Sequence, residues 1–228
     1  MSQQSSAPLG RKDLQQQTRE RLIFTARAVF SEDGYHGARL DRIAAEAGYS
    51  KGAVYSNFAG KAELFLAVMD DNIRASLAGT EVKAESSLAS LGDADAVSEA
   101  AIRGFALATL EFVAMAARDD DLRAECSKRM DLAIEGYAAM AASLGAARED
   151  LTPAEKGALF FALDQGAAVI SLAGSASLSE NTLNKGLAAI LGLPAGEGSL
   201  DPALHHDEVR KNIAANLTSG EPEAPDSP

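Results

Sequence analysis

Apolar positions in this chain recur at helical spacing, in short blocks near the start and in longer blocks later. Between Thr18 and Gly34, Leu22, Ile23, Ala26, Val29 and Phe30 form one stripe, and Gly34 closes the segment. Leu40, Ile43 and Ala47 share a face of a short second helix, where the small Ala44 and Ala47 let another helix cross closely. Gly48-Tyr49-Ser50 makes the turn: glycine suits the left-handed residue after a helix, and the Ser50 hydroxyl is placed to cap the next one. That third helix, from about Lys51 to Phe58, has Val54 and Phe58 four apart and facing inward, leaving Lys51, Ala53, Tyr55, Ser56 and Asn57 outward. Leu64, Phe65, Val68, Met69 and Ile73 keep helical register in a fourth segment, from Lys61 to about Ala78.

Past a looser stretch, GTEVKAESSLASLGDAD, the blocks lengthen. One helix is predicted from about Ala94 to Arg118, with Val97, Ile102, Phe105, Leu107, Leu110 and Phe112 as its apolar points. Asp119 to Asp121 interrupt it, and another runs from about Leu122 to Leu144 with Met130, Ile134, Tyr137 and Met140. Thr152, Pro153 and Glu155 together form a helix-start signal. Two more helical blocks follow, AEKGALFFALDQGAAVISLAG and ENTLNKGLAAILGL. Few stretches alternate at period two, so the predicted fold class is all-α. Beyond Pro194 one further helix fits Pro202 to Leu217, while the first fifteen or so residues and the closing EPEAPDSP read as disordered.

A length of 228 residues is enough for one or two domains with a good core. No apolar run approaches the ~20 residues needed to span a bilayer, and MSQQSSAPLGRKDLQQQ lacks the hydrophobic centre of a secretory signal. The single Cys126 excludes an internal disulfide and fits a reducing cytoplasm, the expected location. The net charge of −12 is unevenly spread. Nine basic and six acidic residues up to Lys61 give +3, leaving 12 basic and 27 acidic residues, or −15, for the rest. The acidic remainder suits solubility, and it also discourages the body from lying on a polyanion.

Two short helices around a glycine turn over residues 39–58 have the layout of a helix-turn-helix, whose second helix fits a DNA major groove. Similar hairpins also occur as plain scaffold, so the flanks matter. The stripe before the motif and the block after it complete an ordered set: Ala26, Phe30, Gly34, Tyr35, Ile43, Ala44, Ala47, Gly48, Ser50, Gly52, Tyr55, Phe58, Lys61, Glu63 and Leu64. On these residues the first third of the chain resembles the amino-terminal DNA-binding domain of the tetracycline-repressor (TetR) family of transcriptional regulators. The resemblance implies an arm over 1–17 and a helix-turn-helix domain over 18–62. A ligand-binding and dimerisation body over 63–194 and a tail over 195–228 follow. One departure stands out: the family usually has Thr or Ser where this chain has Ala38 or Arg39. Ala38 cannot cap the second helix, a loss of typically ~1 kcal/mol, which Asp41 in its first turn partly offsets.

What the resemblance implies for sites follows residue by residue. Arg39, Tyr55 and Lys61 are the expected backbone contacts, and Lys51, Ala53, Ser56 and Asn57 the expected groove contacts, on the helix opened by Ser50 and Gly52. An effector cavity is implied in the bundle, with Phe105, Thr109, Phe112, Met115, Met130, Ile134, Tyr137, Phe161 and Gln165 as candidate liners. Glu111, Asp164 and Gln165 are candidate polar anchors within it. A homodimer is implied through the last two helices. Independently of the resemblance, Ala158, Ala162 and Gly166 recur every four residues as a seam a partner helix could approach. Leu159, Ile170, Leu187, Ile190 and Leu191 would supply apolar area there, although the same pattern serves packing within one chain.

The expected function is a ligand-released repressor that binds palindromic operator DNA as a homodimer. It would not be an enzyme and would carry no cofactor. Alternatives are an activator or a regulator controlled by a protein partner instead of a small molecule. A metal or redox protein using His205, His206 or Cys126 is a further alternative. Adjacent histidines diverge by about 100° on a helix and no distant ligand matches them, so no metal site is assigned.

Overall fold

The computed structural model describes residues 10–82, 96–143, 150–175, 177–178 and 180–191. Among them the chain is all-helical: α1 (Arg11–Gly37), α2 (Leu40–Glu46), α3 (Lys51–Asn57), α4 (Lys61–Val82), α5 (Ala96–Ala116), α6 (Asp120–Ser143), α7 (Pro153–Leu172) and α8 (Glu180–Leu191). None of these helices is long and apolar enough to cross a membrane.

The helix ends follow local chemistry. Ser50 caps α3, its hydroxyl accepting the Ala53 N–H at 3.3 Å. At α7, Thr152 and Glu155 form a reciprocal capping box behind Pro153. Arg39 precedes α2 and makes no side-chain cap, as expected from the Ala38-Arg39 departure. Ala38 is instead buried. The turn between α2 and α3 passes through Gly48 at φ 78°.

The amino-terminal arm is shorter than expected, because Arg11 to Gln17 are helical. These residues carry almost no apolar side chains, so periodicity could not reveal the helix. They are exposed good helix formers that prolong α1, and Asp13 accepts the Gly10 N–H at 3.0 Å at its start. Residues 1–9 and the tail over 195–228, with the helix expected from Pro202 to Leu217, lie outside the described residues.

Two cores result. The larger gathers Leu22, Ala26, Val29 and Phe30 of α1, Ile43 and Ala44 of α2, Val54 of α3, Leu64, Phe65 and Val68 of α4, and Ala108 and Phe112 of α5. Its centre is aromatic. Phe65 lies 4.9 Å from Phe30, 4.8 Å from Phe112 and 5.5 Å from Phe105, and Tyr35 lies 5.1 Å from Phe112. The smaller core, Met140, Ala141, Phe160 and Leu187, joins α6, α7 and α8. The helix-turn-helix unit therefore shares its core with α4 and α5 and has no interior of its own.

Close approaches tie the layers together. A Cβ on Gly104 of α5 would stand 1.9 Å from the Ser31 carbonyl oxygen, so α5 lies directly on the α1 backbone. Arg27 is fully buried between α1 and α4, donating to Asn72 at 2.8 Å and pairing with Asp71. Arg129 of α6 reaches α4 through Asp70 at 2.8 Å.

Candidate nucleic-acid interface

Helix α3 is held from below and from its end. Val54 and Phe58 are buried in the larger core, four residues apart on one face. Arg19 of α1 lies 4.2 Å from the Phe58 ring centroid and donates to the Asn57 carbonyl at 2.6 Å. A cation there meets an orphan carbonyl and the negative end of the helix dipole at once. Sequence reasoning passed over Arg19; no short-range spacing rule links it to a carbonyl 38 residues away.

What α3 then shows to solvent is a compact row. Lys51, Gly52, Tyr55 and Ser56 are exposed, Tyr55 by 53%. The Lys51 ammonium sits 6.0 Å from the Tyr55 ring, which holds both groups on the same side. Ala53 is half-buried. Ser56 donates its hydroxyl proton to the Ala53 carbonyl at 2.9 Å, and its oxygen accepts from the Asn57 amide at 3.4 Å with one lone pair to spare.

Two expected contacts have other engagements. The Asn57 amide is half-buried and donates back to the Ala53 carbonyl at 2.8 Å, so it closes the helix end rather than reaching outward. Lys61 donates to the carbonyls of His36 and Ala38 at 3.1 and 3.0 Å and lies 4.9 Å from the Tyr35 ring. It thus braces the exit of α1. Burial lowers its pKa, and the nearby Glu111 charge opposes that shift.

Arg39 is free of the core and strongly exposed, but its guanidinium is forked onto Asp41, with contacts of 3.1 and 2.8 Å. The bond from Arg39 holds the Asp41 carboxyl down at about 2, so the pair is fully ionised at any working pH. Next to it, Arg42 is occupied by Glu32, Asp33 and Glu46. Arg39 and Arg42, two of the nine basic residues counted for the head, therefore already carry acidic partners.

The candidate effector liners do not converge on one space. Phe112 is wholly buried in the aromatic core, and Phe105 stacks on Phe65. Thr109 donates to the Phe105 carbonyl at 2.9 Å, while Met115 and Met130 pack against the same core. Ile134 is half-buried along α6. Tyr137 belongs with the smaller core, 5.5 Å from Phe161, and donates to Asp164 at 3.0 Å. Its pKa is raised by burial and then by that carboxylate. Gln165 is exposed, with its amide on Asp164, so it faces away from the interior. An open groove of about 570 Å³ lies elsewhere, between Arg19, Gly60, Glu63, Leu66, Leu122 and Arg129, and involves none of these candidates. Cys126 is buried and His205 and His206 lie outside the described residues.

The α7 seam divides. Ala158, Leu159, Ala162, Gly166 and Ile170 are exposed along one side of α7, joined by Val169, which spacing alone had not placed there. Leu187, expected at the dimer interface, is instead 5% exposed and fills its own chain's smaller core, packed with Met140 of α6 and Phe160 of α7. Ile190 is half-buried, and the side chain of Leu191 lies outside the described residues.

Comparison with known proteins bears on the same region. Residues 22–68 match the sequence profile of "Bacterial regulatory proteins, tetR family". Over 55 residues the chain is 44% identical to the HTH-type transcriptional activator FasR of Mycolicibacterium smegmatis, covering 24% of this chain and 25% of that protein. Over 53 residues it is 43% identical to an HTH-type transcriptional repressor of Streptomyces coelicolor, covering 23% and 28%. The matched stretch thus spans about a quarter of these relatives' length. A solved structure from Rhodococcus sp., assigned to the TetR family, shares the fold with a TM-score of 0.55 at 19% identity, covering 78% of this chain and 96% of that one.

Proposed function

We propose that the chain, whose residues 22–68 match the TetR-family profile, is a transcriptional regulator that represses genes by binding a palindromic operator as a homodimer and lets go when a small molecule binds. The observation that carries this reading is the outward row on α3. Lys51, Tyr55 and Ser56 stand exposed on a helix whose other face is anchored by Val54 and Phe58. Such a helix can enter a major groove without disturbing the core that positions it. Arg39, at the head of α2, supplies a phosphate contact once a phosphate replaces Asp41 on its fork. Lys61 and Asn57 support the reading head from within.

Dimerisation rests on α7. Leu159, Val169 and Ile170 are 44, 45 and 38% exposed on the side lined by Ala158, Ala162 and Gly166. An apolar stripe with small residues between its large ones suits close helix pairing, and a two-fold dimer would present two α3 helices to two half-sites. An effector site in the body would have to form between the two cores, drawing in half-buried residues of α5, α6 and α7 such as Thr109, Ile134, Tyr137 and Phe161. Binding there favours one head arrangement over another, and DNA affinity falls by the difference.

The test is selection from a random duplex library by the purified full-length protein. A recovered palindrome, lost on combining Lys51→Ala with Tyr55→Ala, is expected. Failure to enrich any sequence overturns the reading. A reporter behind the recovered site decides the sign of regulation, since the relatives include both an activator and a repressor.

A further inference from the structure

We propose that Glu111 is a positioning residue for the DNA-reading head, and that α5 carries effector-driven motion to the head through Glu111 and Gly104. The inference rests on the operator-binding reading above and names the route by which that site is controlled.

It begins with the exit of α1. Gly34 takes φ 72° and ψ 174°, which breaks the helical hydrogen-bond ladder and turns the chain toward α2. A break of that kind leaves amides without intrahelical acceptors. Glu111, late in α5, takes one of them: its carboxylate accepts the His36 N–H at 2.9 Å. The same carboxylate crowds the kink, with its oxygens 2.8 and 3.1 Å from where a Cβ on Gly34 would stand. From the other side, the Lys61 ammonium binds the His36 and Ala38 carbonyls. Residues 34–38 are therefore clasped between α5 and the first residue of α4. Arg39 and α2 come next in the chain.

Glu111 does not act at an isolated point. Gly104 lies two turns earlier on α5 and sits backbone to backbone on Ser31. Gly104, Ala108, Glu111 and Phe112 fall on one face of α5, which is the face laid on α1. Two fixed points about 10 Å apart stop α5 from sliding along α1 without either moving the kink or breaking the clasp. Helices α2 and α3 make their main contacts with α1 and with each other. Their direction is therefore inherited from the exit of α1. Phe105, Thr109 and Phe112 ride on this same α5, so a ligand touching that helix has a one-helix path to the reading head.

The experiment uses the full-length protein with Cys126→Ser and spin labels at Glu46→Cys on α2 and Asp131→Cys on α6. Labelled chains are diluted with unlabelled protein so that only distances within one chain are read. The parent is expected to give one narrow head-to-body distance, Glu111→Ala a broadened or shifted one, and Glu111→Gln, which keeps an acceptor for His36, the parent distance. With the selected operator duplex, Glu111→Ala should weaken binding about tenfold, within the usual span of coupling between sites. Binding to a random-sequence duplex should hold steady, because no outward residue of α3 is touched. If Glu111→Ala does not fold, Glu111→Asp, which retracts the carboxylate by one methylene, carries the same expectation.

An unchanged distance in Glu111→Ala overturns the proposal. So does an equal loss of specific and random-sequence binding together with a lowered melting temperature, which marks general destabilisation. If the parent selects no operator, the functional reading fails, while the spin-label distances still judge the clasp.

Discussion

Replacing Arg27 with alanine tests how the head is held on helix four. Arg27 is 1% exposed; it donates to Asn72, itself 8% exposed, at 2.8 Å, and pairs with Asp71. The substitution removes two buried methylenes, Cγ and Cδ, about 1.6 kcal/mol at ~0.8 kcal/mol per CH₂. It also deprives Asn72 of a charged donor, at roughly 1–3 kcal/mol for an interior polar group whose partner is removed. The charge on Asp71 adds little, because that carboxylate is a third exposed and keeps Arg74 at 3.0 Å. The total is about 3–5 kcal/mol, the range typical for removing one partner of a buried pair. Arg27→Met keeps the stem and loses only the donors, so it should cost about 1–3 kcal/mol. Urea unfolding followed by circular dichroism at fixed protein concentration reads both values, with an unchanged slope expected. If alanine and methionine both stay within ~0.5 kcal/mol of the parent, the guanidinium is not the buried clamp described. Equal large losses would mean that the stem contributes nothing.

The surface offers smaller effects. Asp41→Asn frees Arg39 from its fork and removes a negative charge beside the DNA face; operator binding should tighten about two- to fivefold, with the gain shrinking as salt rises in a fluorescence-anisotropy titration. Weaker binding in low salt would show that Asp41 aims Arg39 rather than restraining it. Leu159→Glu places a charge in the exposed apolar stripe of α7 and should shift sedimentation from dimer to monomer while the circular dichroism stays helical. A dimer that persists would locate the interface elsewhere. The Cys126 thiol is pushed above its ordinary value by burial, against the pull of Arg129. Its thiolate is therefore scarce at neutral pH, and labelling with a thiol reagent should be slow from pH 7 to 9 and fast only in denaturant. Rapid labelling of the native protein at pH 7 would contradict that burial.

Features set by neighbours in sequence were legible. The capping of α3 by Ser50, the box at Thr152 and Glu155, the turn at Gly48 and the inward pair Val54 and Phe58 all follow from spacings of a few residues. The order and type of the helices followed from apolar periodicity for the same reason. Helical residues with no apolar partner leave no trace in that periodicity, as the exposed helical stretch from Arg11 to Gln17 shows. The candidate interface was legible only to the level of which side faces out. Lys51 and Tyr55 stand where helical geometry puts them. The diversion of Asn57 onto Ala53 and of Lys61 onto the α1 exit depends on atoms brought together by the fold. The roles of Arg19 and Gly104, and the turn of Glu111 from an expected cavity anchor to an acceptor for His36, lay out of reach for a related reason: each is defined by a backbone group at least 38 residues away.

That same long-range packing changes what the boundary near residue 62 means. Phe65 and Phe112, from α4 and α5, complete the core that Phe30, Ile43, Val54 and Phe58 begin. A head cut off after residue 62 would expose that aromatic centre, so residue 62 is not a boundary between folding units. A shared core has a functional consequence. The interior is close-packed and transmits displacement rather than absorbing it. A shift of α5 by a fraction of a helical turn cannot be taken up at the Gly104–Ser31 contact, where backbone already meets backbone. On the route proposed for α5, it would appear at the α1 exit, and hence in the direction of α3. The positive charge left on the head would then govern how strongly DNA is held. The packing of α5 on α1 would govern whether the two heads can hold it together.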